Sequence, residues 1–151
     1  MAKVKIGDMF ELVTPKGKAY LHYIYKDKSL GDLIRVLPGI YHEEPIDYIE
    51  IAKQKELYLI FFPLSAAYKR NLVKQVAHYD DNNFQKPKFM REKHVIHGEF
   101  KGWYIVDTDS WNNQFVTKLT DEEKLLSPWG IWNDSLLIDR IVEGWTLEKW
   151  V

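Results

Sequence analysis

Two histidines three residues apart, His94-x-x-His97, are the first candidates for chemistry in this chain. On a helix that spacing would put both imidazoles on one face, where they could ligate a metal. No third ligand stands at motif spacing and no HExxH is present, so solvated or hydrogen-bonded histidines are expected instead. Asp107-x-Asp109 ends a strand-like run, where paired carboxylates bind a cation or divide acid and base roles. With a histidine and a metal this pair would make a hydrolase; without them its members are turn residues. Asp80-Asp81-Asn82-Asn83 offers oxygen ligands but lacks the following Gly and bidentate Glu of a calcium loop. Ser65, Ser110, Ser127 and Ser135 lie in no GxSxG context, and the eight glycines are scattered at turn positions rather than gathered in a phosphate loop. The absence of cysteine excludes disulfides and thiol chemistry and fits a reducing cytoplasm. The sequence therefore predicts no catalysis, no metal site and no cofactor.

Binding is the remaining class, and two surfaces offer it. Lys86, Lys88, Arg91 and Lys93, with Phe89 among them, could follow a phosphate backbone while the ring stacks a base. The opposing reading is a solvated basic link, favoured by a net charge of −1 and by acidic segments elsewhere. The second surface is aromatic. Trp103, Trp145 and Trp150 are expected in the core. Trp111 lies in a polar loop beside Asp109, and Trp129 and Trp132 flank Gly130, so these three are the candidates for partner contact. Asp107, Asp109 and the acidic Glu43-Glu44 segment complete that set.

These residues need elements to position them. Aromatics are 15% of the chain, an excess that points to a β-rich body, an interface, or both. Asp8–Thr14, Lys18–Lys26 and Asp32–Leu37 read as three strands joined by short turns. The second carries Tyr20, His22 and Ile24 on one face and Leu21, Tyr23 and Tyr25 on the other, which predicts a central strand covered on both sides. Tyr41–Lys55 is ambiguous: Pro45 could open a helix, but Ile46, Tyr48, Ile49 and Ile51 fit neither period. Glu56–Phe62 is a buried strand, Leu64–Asn71 a short helical link and Leu72–Tyr79 a further strand. Lys86–His94 reads as a link. Glu99–Asp107 and Gln114–Leu119 then make a strand pair, and Thr120-Asp-Glu-Glu123 matches a capping box.

The last stretch, SPWGIWNDSLLIDRIVEGWTLEKWV, holds four of the six tryptophans. Leu137, Ile138, Ile141, Val142 and Trp145 recur at helical spacing, with Asn133, Asp134 or Ser135 to cap the helix and Gly144 to stop it. Thr146 is placed to cap one more short turn. The fold class predicted is α+β: one domain of about seven strands, mainly antiparallel, a curled sheet or small barrel packed by C-terminal helices. Met1-Ala-Lys-Val-Lys-Ile meets Gly7-Asp8 before any long apolar run, and no stretch approaches the ~20 apolar residues of a membrane span. A soluble cytoplasmic protein is expected.

Four segments resemble, in chain order, the immunity protein 26 family, bacterial proteins that neutralise toxins of polymorphic toxin systems. They are KIGDMFEL (Lys5 to Leu12), ELYLIFFPL (Glu56 to Leu64), GWYIVD (Gly102 to Asp107) and WNDSLLIDRIVEGW (Trp132 to Trp145). The resemblance implies a cytoplasmic, non-catalytic protein that binds a cognate toxin domain and blocks it. It implies that the motif residues are chiefly structural, and it carries over no set of toxin contacts. A nuclease inhibitor would favour a strongly acidic face, which a net charge of −1 does not supply, so the toxin's activity stays open.

Overall fold

A computed structural model of the chain describes residues 3–45 and 47–151; Met1, Ala2 and the ambiguous Ile46 lie outside them. The first three predicted strands form β1 (Asp8–Thr14), β2 (Gly17–Asp27) and β3 (Gly31–Val36). With β4 (Tyr58–Phe61) and β5 (Val73–His78) they make a five-stranded antiparallel sheet in the order β4-β3-β2-β1-β5. The strand whose two faces both read as apolar, β2, is its central strand, as the pattern requires. A β-bulge between Tyr23 and Tyr25 breaks the alternation there. Tyr25 consequently pairs with Leu33 and packs beside Ile24, rather than sharing a face with Leu21 and Tyr23 as strict alternation predicts.

One face of this sheet, carrying Phe10, Leu12, Leu21, Ile34 and Ile60, is closed by α2 (Leu64–Lys69) and α3 (Asp134–Val142). The α3 stripe works as its spacing predicts. Leu137 and Trp145 are buried, and Ile138 and Ile141 pack against them. Asn133 caps the helix, its Oδ1 accepting from Leu136 N at 2.8 Å, and Gly144 leaves it at φ +69°. Thr146 precedes the following 3₁₀ turn, Leu147–Lys149, without donating or accepting a side-chain cap bond. The other face takes α1 (Tyr48–Ala52), whose Asp47 side chain accepts from Ile49 N and Glu50 N, and whose Ile51 and Ala52 meet Met9 and Tyr20.

The second sheet is β6 (Phe89–Ile96), β7 (Glu99–Asp107) and β8 (Asn113–Val116), antiparallel in that order. β6 corrects the reading of Lys86–His94 as a link and makes eight strands among the described residues. Neither sheet closes into a barrel; the curled-sheet alternative is the one adopted. At Gly102 (φ +152°) the Phe115 ring lies where a side chain would stand: an added Cβ would come within 2.6 Å of it. The capping box opens a single 3₁₀ turn, Glu123–Leu125. Thr120 N donates to Glu123 Oε1 at 2.9 Å and Glu123 N to Thr120 Oγ1 at 3.2 Å.

What joins the sheets is the segment Ser127–Trp132. Leu59 N of β4 donates to Ser127 Oγ at 2.9 Å, and Trp132 N donates to Phe61 O at 2.9 Å. On its other side Arg91 N of β6 donates to Ser127 O at 3.0 Å, and Trp129 N donates to Arg91 O at 2.7 Å. The Arg91 side chain is wholly buried. Its Nε donates to Leu126 O (2.9 Å), its Nη2 to Lys124 O (2.9 Å) and Leu147 O (2.7 Å), and its Nη1 to Trp150 O. The guanidinium lies over both the Trp103 and Trp150 rings, 5.0 and 4.7 Å from their centroids, and the two rings meet edge-on at 4.9 Å. Burial pulls its pKa down to about 10, still charged at neutral pH.

Arg91→Met strips that charge and leaves the Lys124, Leu126 and Trp150 carbonyls without a donor, so urea unfolding should show a loss of about 3 kcal/mol or more. Arg91→Lys should recover only part of it, because an ammonium lacks the planar fork that reaches both 3₁₀ turns. A change within about 0.5 kcal/mol for Arg91→Met, the range of an ordinary surface substitution, would show that Arg91 does not hold the sheets together.

Candidate functional site

The turn between β7 and β8 brings together most of the predicted binding residues. Asp107 shapes it: its Oδ1 accepts from Asp109 N (2.9 Å) and Ser110 N (3.1 Å), and its backbone exchanges bonds with Trp111 N and Asn112 O, both 2.8 Å. Those two side-chain bonds, then Lys88, hold the Asp107 carboxyl down at about 2. Asp107 therefore serves as the turn residue of the two alternatives, fully ionised at neutral pH. Thr108 fastens the turn to the incoming chain, N to Lys88 O at 2.8 Å and Oγ1 to Pro87 O at 2.6 Å.

The predicted acids and the predicted bases turn out to be each other's partners. Lys88 Nζ lies 3.2 Å from Asp107 Oδ2. Lys86 Nζ lies 2.7 Å from Asp109 Oδ1 and 5.5 Å from the Tyr25 ring centroid, and its own pKa is raised chiefly by that Asp109 bond. Lys93 sits over Phe100, Trp103 and Trp150. Arg91, placed with them on a phosphate-tracking surface by the sequence reading, is instead internal. Its strand is covered on both faces at that point, which spacing among charged neighbours does not reveal. Phe89 is partly exposed at the edge of an open groove of about 460 Å³, floored by Ile105 and Leu126 and rimmed by Asp107, Glu122 and Glu123.

Trp111 stands beside that groove. Its backbone is left-handed (φ +64°), a region a bulky residue rarely enters, and it is 47% exposed. Its ring meets Trp129 edge-on at 5.8 Å, and Trp129 meets Phe61 edge-on at 6.1 Å, a continuous aromatic path from solvent to the core. Trp129 is thus a half-buried root rather than an outlying anchor. Trp132 lies away from this turn: half-buried, it packs on Tyr58 and Trp145, each at 5.4 Å, as part of the α3 contact. Glu44 pairs with Lys18 at 3.5 Å and Glu43 is exposed near it, at the β1–β2 end of the large sheet rather than at the β7–β8 turn.

His94 and His97 share no helix. His94 is on β6, edge-on to Tyr104 at 4.9 Å, and His97 is in the β6–β7 turn at φ +50°. Among the described residues no group of three His, Cys, Asp or Glu is placed to hold a metal ion. Two other histidines do carry polar networks that local spacing does not announce. His22, fully buried, receives Arg35 Nη1 on Nδ1 at 2.9 Å, so its Nε2 carries the proton donated to Tyr79 O at 2.7 Å. His78 lies between Asp8 and Asp80, each at 2.8 Å, where an added Cβ on Gly7 (φ +104°) would strike both His78 and Asp80.

Fold and site together define an open two-sheet α+β domain with a rigidly held aromatic turn. No protein-family model, no curated protein and no solved structure matches the chain.

The two histidines should pull stability in opposite directions with pH. Burial, and then the Arg35 charge, lower the His22 pKa. The unfolded chain therefore binds the extra proton first, and the stability due to His22 is lost as pH falls below its unfolded value of about 6.5. The Asp8 bond raises the His78 pKa, so its contribution is complete below about 6.5 and lost as pH climbs through the raised value. Denaturant midpoints of His22→Asn and His78→Asn, taken between about pH 5 and 8 against the parent, should diverge with opposite slopes; parallel curves would refute the assignment.

Proposed function

We propose that the chain is a non-catalytic binding protein that occludes a cognate bacterial toxin domain, with Trp111 at the centre of the contact. The four segments that resemble the immunity protein 26 family supply the class of partner. The observation that carries the surface is Trp111 itself, an exposed ring in a left-handed conformation, backed by Trp129 and Phe61. A residue held against its backbone preference on a braced turn has its conformational cost met before a partner arrives. Binding energy concentrates in such aromatic anchors once the partner removes their water. The adjoining groove suits an arginine or lysine of the partner, its stem along Ile105 and Phe89 and its cation at Glu122 and Glu123.

The alternative, a small β-barrel that binds single-stranded nucleic acid, has less to rest on. It needs free cations beside a stacking ring. Arg91 spends its donors on backbone carbonyls, and Lys86 and Lys88 each hold a carboxylate.

A tagged protein drawn from its host lysate at moderate salt should bring down one toxin-domain protein at equal stoichiometry. Against that partner, Trp111→Ala should weaken binding by at least about tenfold with an unchanged melting temperature, and Asp109→Ala by less, as a rim charge does. Trp132→Ala should do the reverse, lowering the melting temperature and sparing affinity. Full affinity in Trp111→Ala would remove this surface from consideration. An eluate of nucleic acid that washes off with salt would overturn the protein reading itself.

A further inference from the structure

Among the described residues the edge strands of the two sheets are β4, β5, β6 and β8, and the first three are covered or charged. The strap Ser127–Trp132 bonds the outer side of β4 at Leu59 and Phe61, and that of β6 at Arg91. Beyond Arg91, β6 carries Glu92 and Lys93, and β5 carries Lys74. Cover and charge are what keep an edge strand from pairing with another chain. β8, Asn113-Gln-Phe-Val116, has neither.

The groups that β8 leaves open follow from its register. Asp107 N donates to Asn112 O, and these two residues continue the ladder in which Val106 stands opposite Asn113. Bonded and unbonded pairs alternate in an antiparallel ladder, so Gln114 and Val116 bond to β7 while Asn113 and Phe115 do not. The N–H and C=O groups of Asn113 and Phe115 therefore point away from β7, and among the described residues they have no partner. Phe115 is 45% exposed, yet its ring is fixed over Gly102 and edge-on to Tyr104 at 5.6 Å and His94 at 5.9 Å. Asn113 and Gln114 are exposed beside it.

We propose that β8 pairs with β8 of a second copy of this chain, antiparallel about a two-fold axis at Gln114, joining the two small sheets into one. Asn113 and Phe115 of each copy then exchange both main-chain bonds with Phe115 and Asn113 of the other. Gln114 faces its own copy, and a carboxamide, which both donates and accepts, is its own complement. The two Phe115 rings become diagonal neighbours about 7–8 Å apart, within reach of each other. A symmetric contact sets every charge of a strand against its own copy. β8 carries none, and a net charge of −1 adds little repulsion between whole chains. A foreign strand would gain the main-chain bonds alone, whereas a second copy also brings the matching ring and carboxamide. The contact is small beside the ~1,200 Å² of a standard interface, so the dimer is weak, on the order of 100 μM. Self-pairing needs neither Trp111 nor a toxin partner.

The experiment is sedimentation equilibrium of the full chain between about 10 μM and about 1 mM. The mass should rise from that of the 18.0 kDa monomer toward twice that value and stop there. Over the same range, hydrogen exchange at the Asn113 and Phe115 amides should slow. Gln114→Lys and Gln114→Glu, exposed substitutions that set like charges across the axis, should each weaken the dimer by at least about tenfold with an unchanged melting temperature. An equal mixture of the two variants should dimerise again. A parent chain that stays monomeric, or association that runs on past a dimer, would overturn the two-fold pairing. So would dimerisation indifferent to both variants, or a mixture no more dimeric than either variant alone. Amides at Asn113 and Phe115 that slow only when a toxin-domain protein binds a monomeric chain would give the edge to that partner instead.

Discussion

The arrangement of the two sheets depends on a buried cation that has no anion. Arg91 meets the carbonyls of Lys124, Leu126, Leu147 and Trp150, which close the two 3₁₀ turns near the end of the chain. Among the described residues Lys124 O, Leu126 O and Trp150 O accept from no other donor, as carbonyls at the end of a short helix are left, while Leu147 O also takes Trp150 N at 3.1 Å. One guanidinium satisfies both turns, and its planar fork is the only side chain that can do so. The Trp103 and Trp150 rings, packed edge-on against each other, take the place of water beside it. Both 3₁₀ turns are therefore registered against β6 through one residue. The strap Ser127–Trp132 lies between those two turns and bonds the Arg91 backbone on one side and Leu59 and Phe61 on the other.

That dependence explains what could be read in the sequence and what could not. The meander β1–β3, the buried β4, the capping box at Thr120 and the α3 stripe are all local: period and cap chemistry within a dozen residues decide them. β6 is different. In FMREKHVI the charges suggest a solvated link, yet Arg91 and Met90 are both internal because a second layer lies on each side. Only the distant 3₁₀ turns make a buried arginine tolerable there, and no window around Arg91 contains them. The bulge at Tyr23 to Tyr25 is a similar case, since one extra residue reverses the face of everything after it. His22 and Arg35 are thirteen residues apart and His78 and Asp8 seventy, so their networks leave no spacing to find.

The site shows the same division. Trp111 was legible as an exposed aromatic because polar turn residues surround it. Its neighbours were legible as charged but not as paired, and the pairing changes their meaning. Lys86 with Asp109 and Lys88 with Asp107 make no net field; they fasten the 86–88 segment to the turn. Exposed pairs of this kind add little stability on their own. Here they add to the bonds from Thr108 and to the Asp107 turn, and the sum is a loop with few ways to move. Charge that seemed available for a ligand is used to hold an aromatic ring still.

Trp129 connects this turn to the Arg91 hub. Its amide bonds Arg91 O, its ring touches Trp111 on one side and Phe61 on the other, and it lies in the strap that joins the sheets. A partner that presses on Trp111 therefore loads the same residue that sets the spacing of β4 and β6. By linkage, whatever binds the native turn also stabilises the native junction, by an amount set by its concentration relative to its dissociation constant. Loosening the junction, conversely, taxes binding, because the turn must be rebuilt before the partner can use it. The Trp129 ring thus ties the Trp111 turn to the junction, while the Trp132 ring, packed on Tyr58 and Trp145, lies off that path.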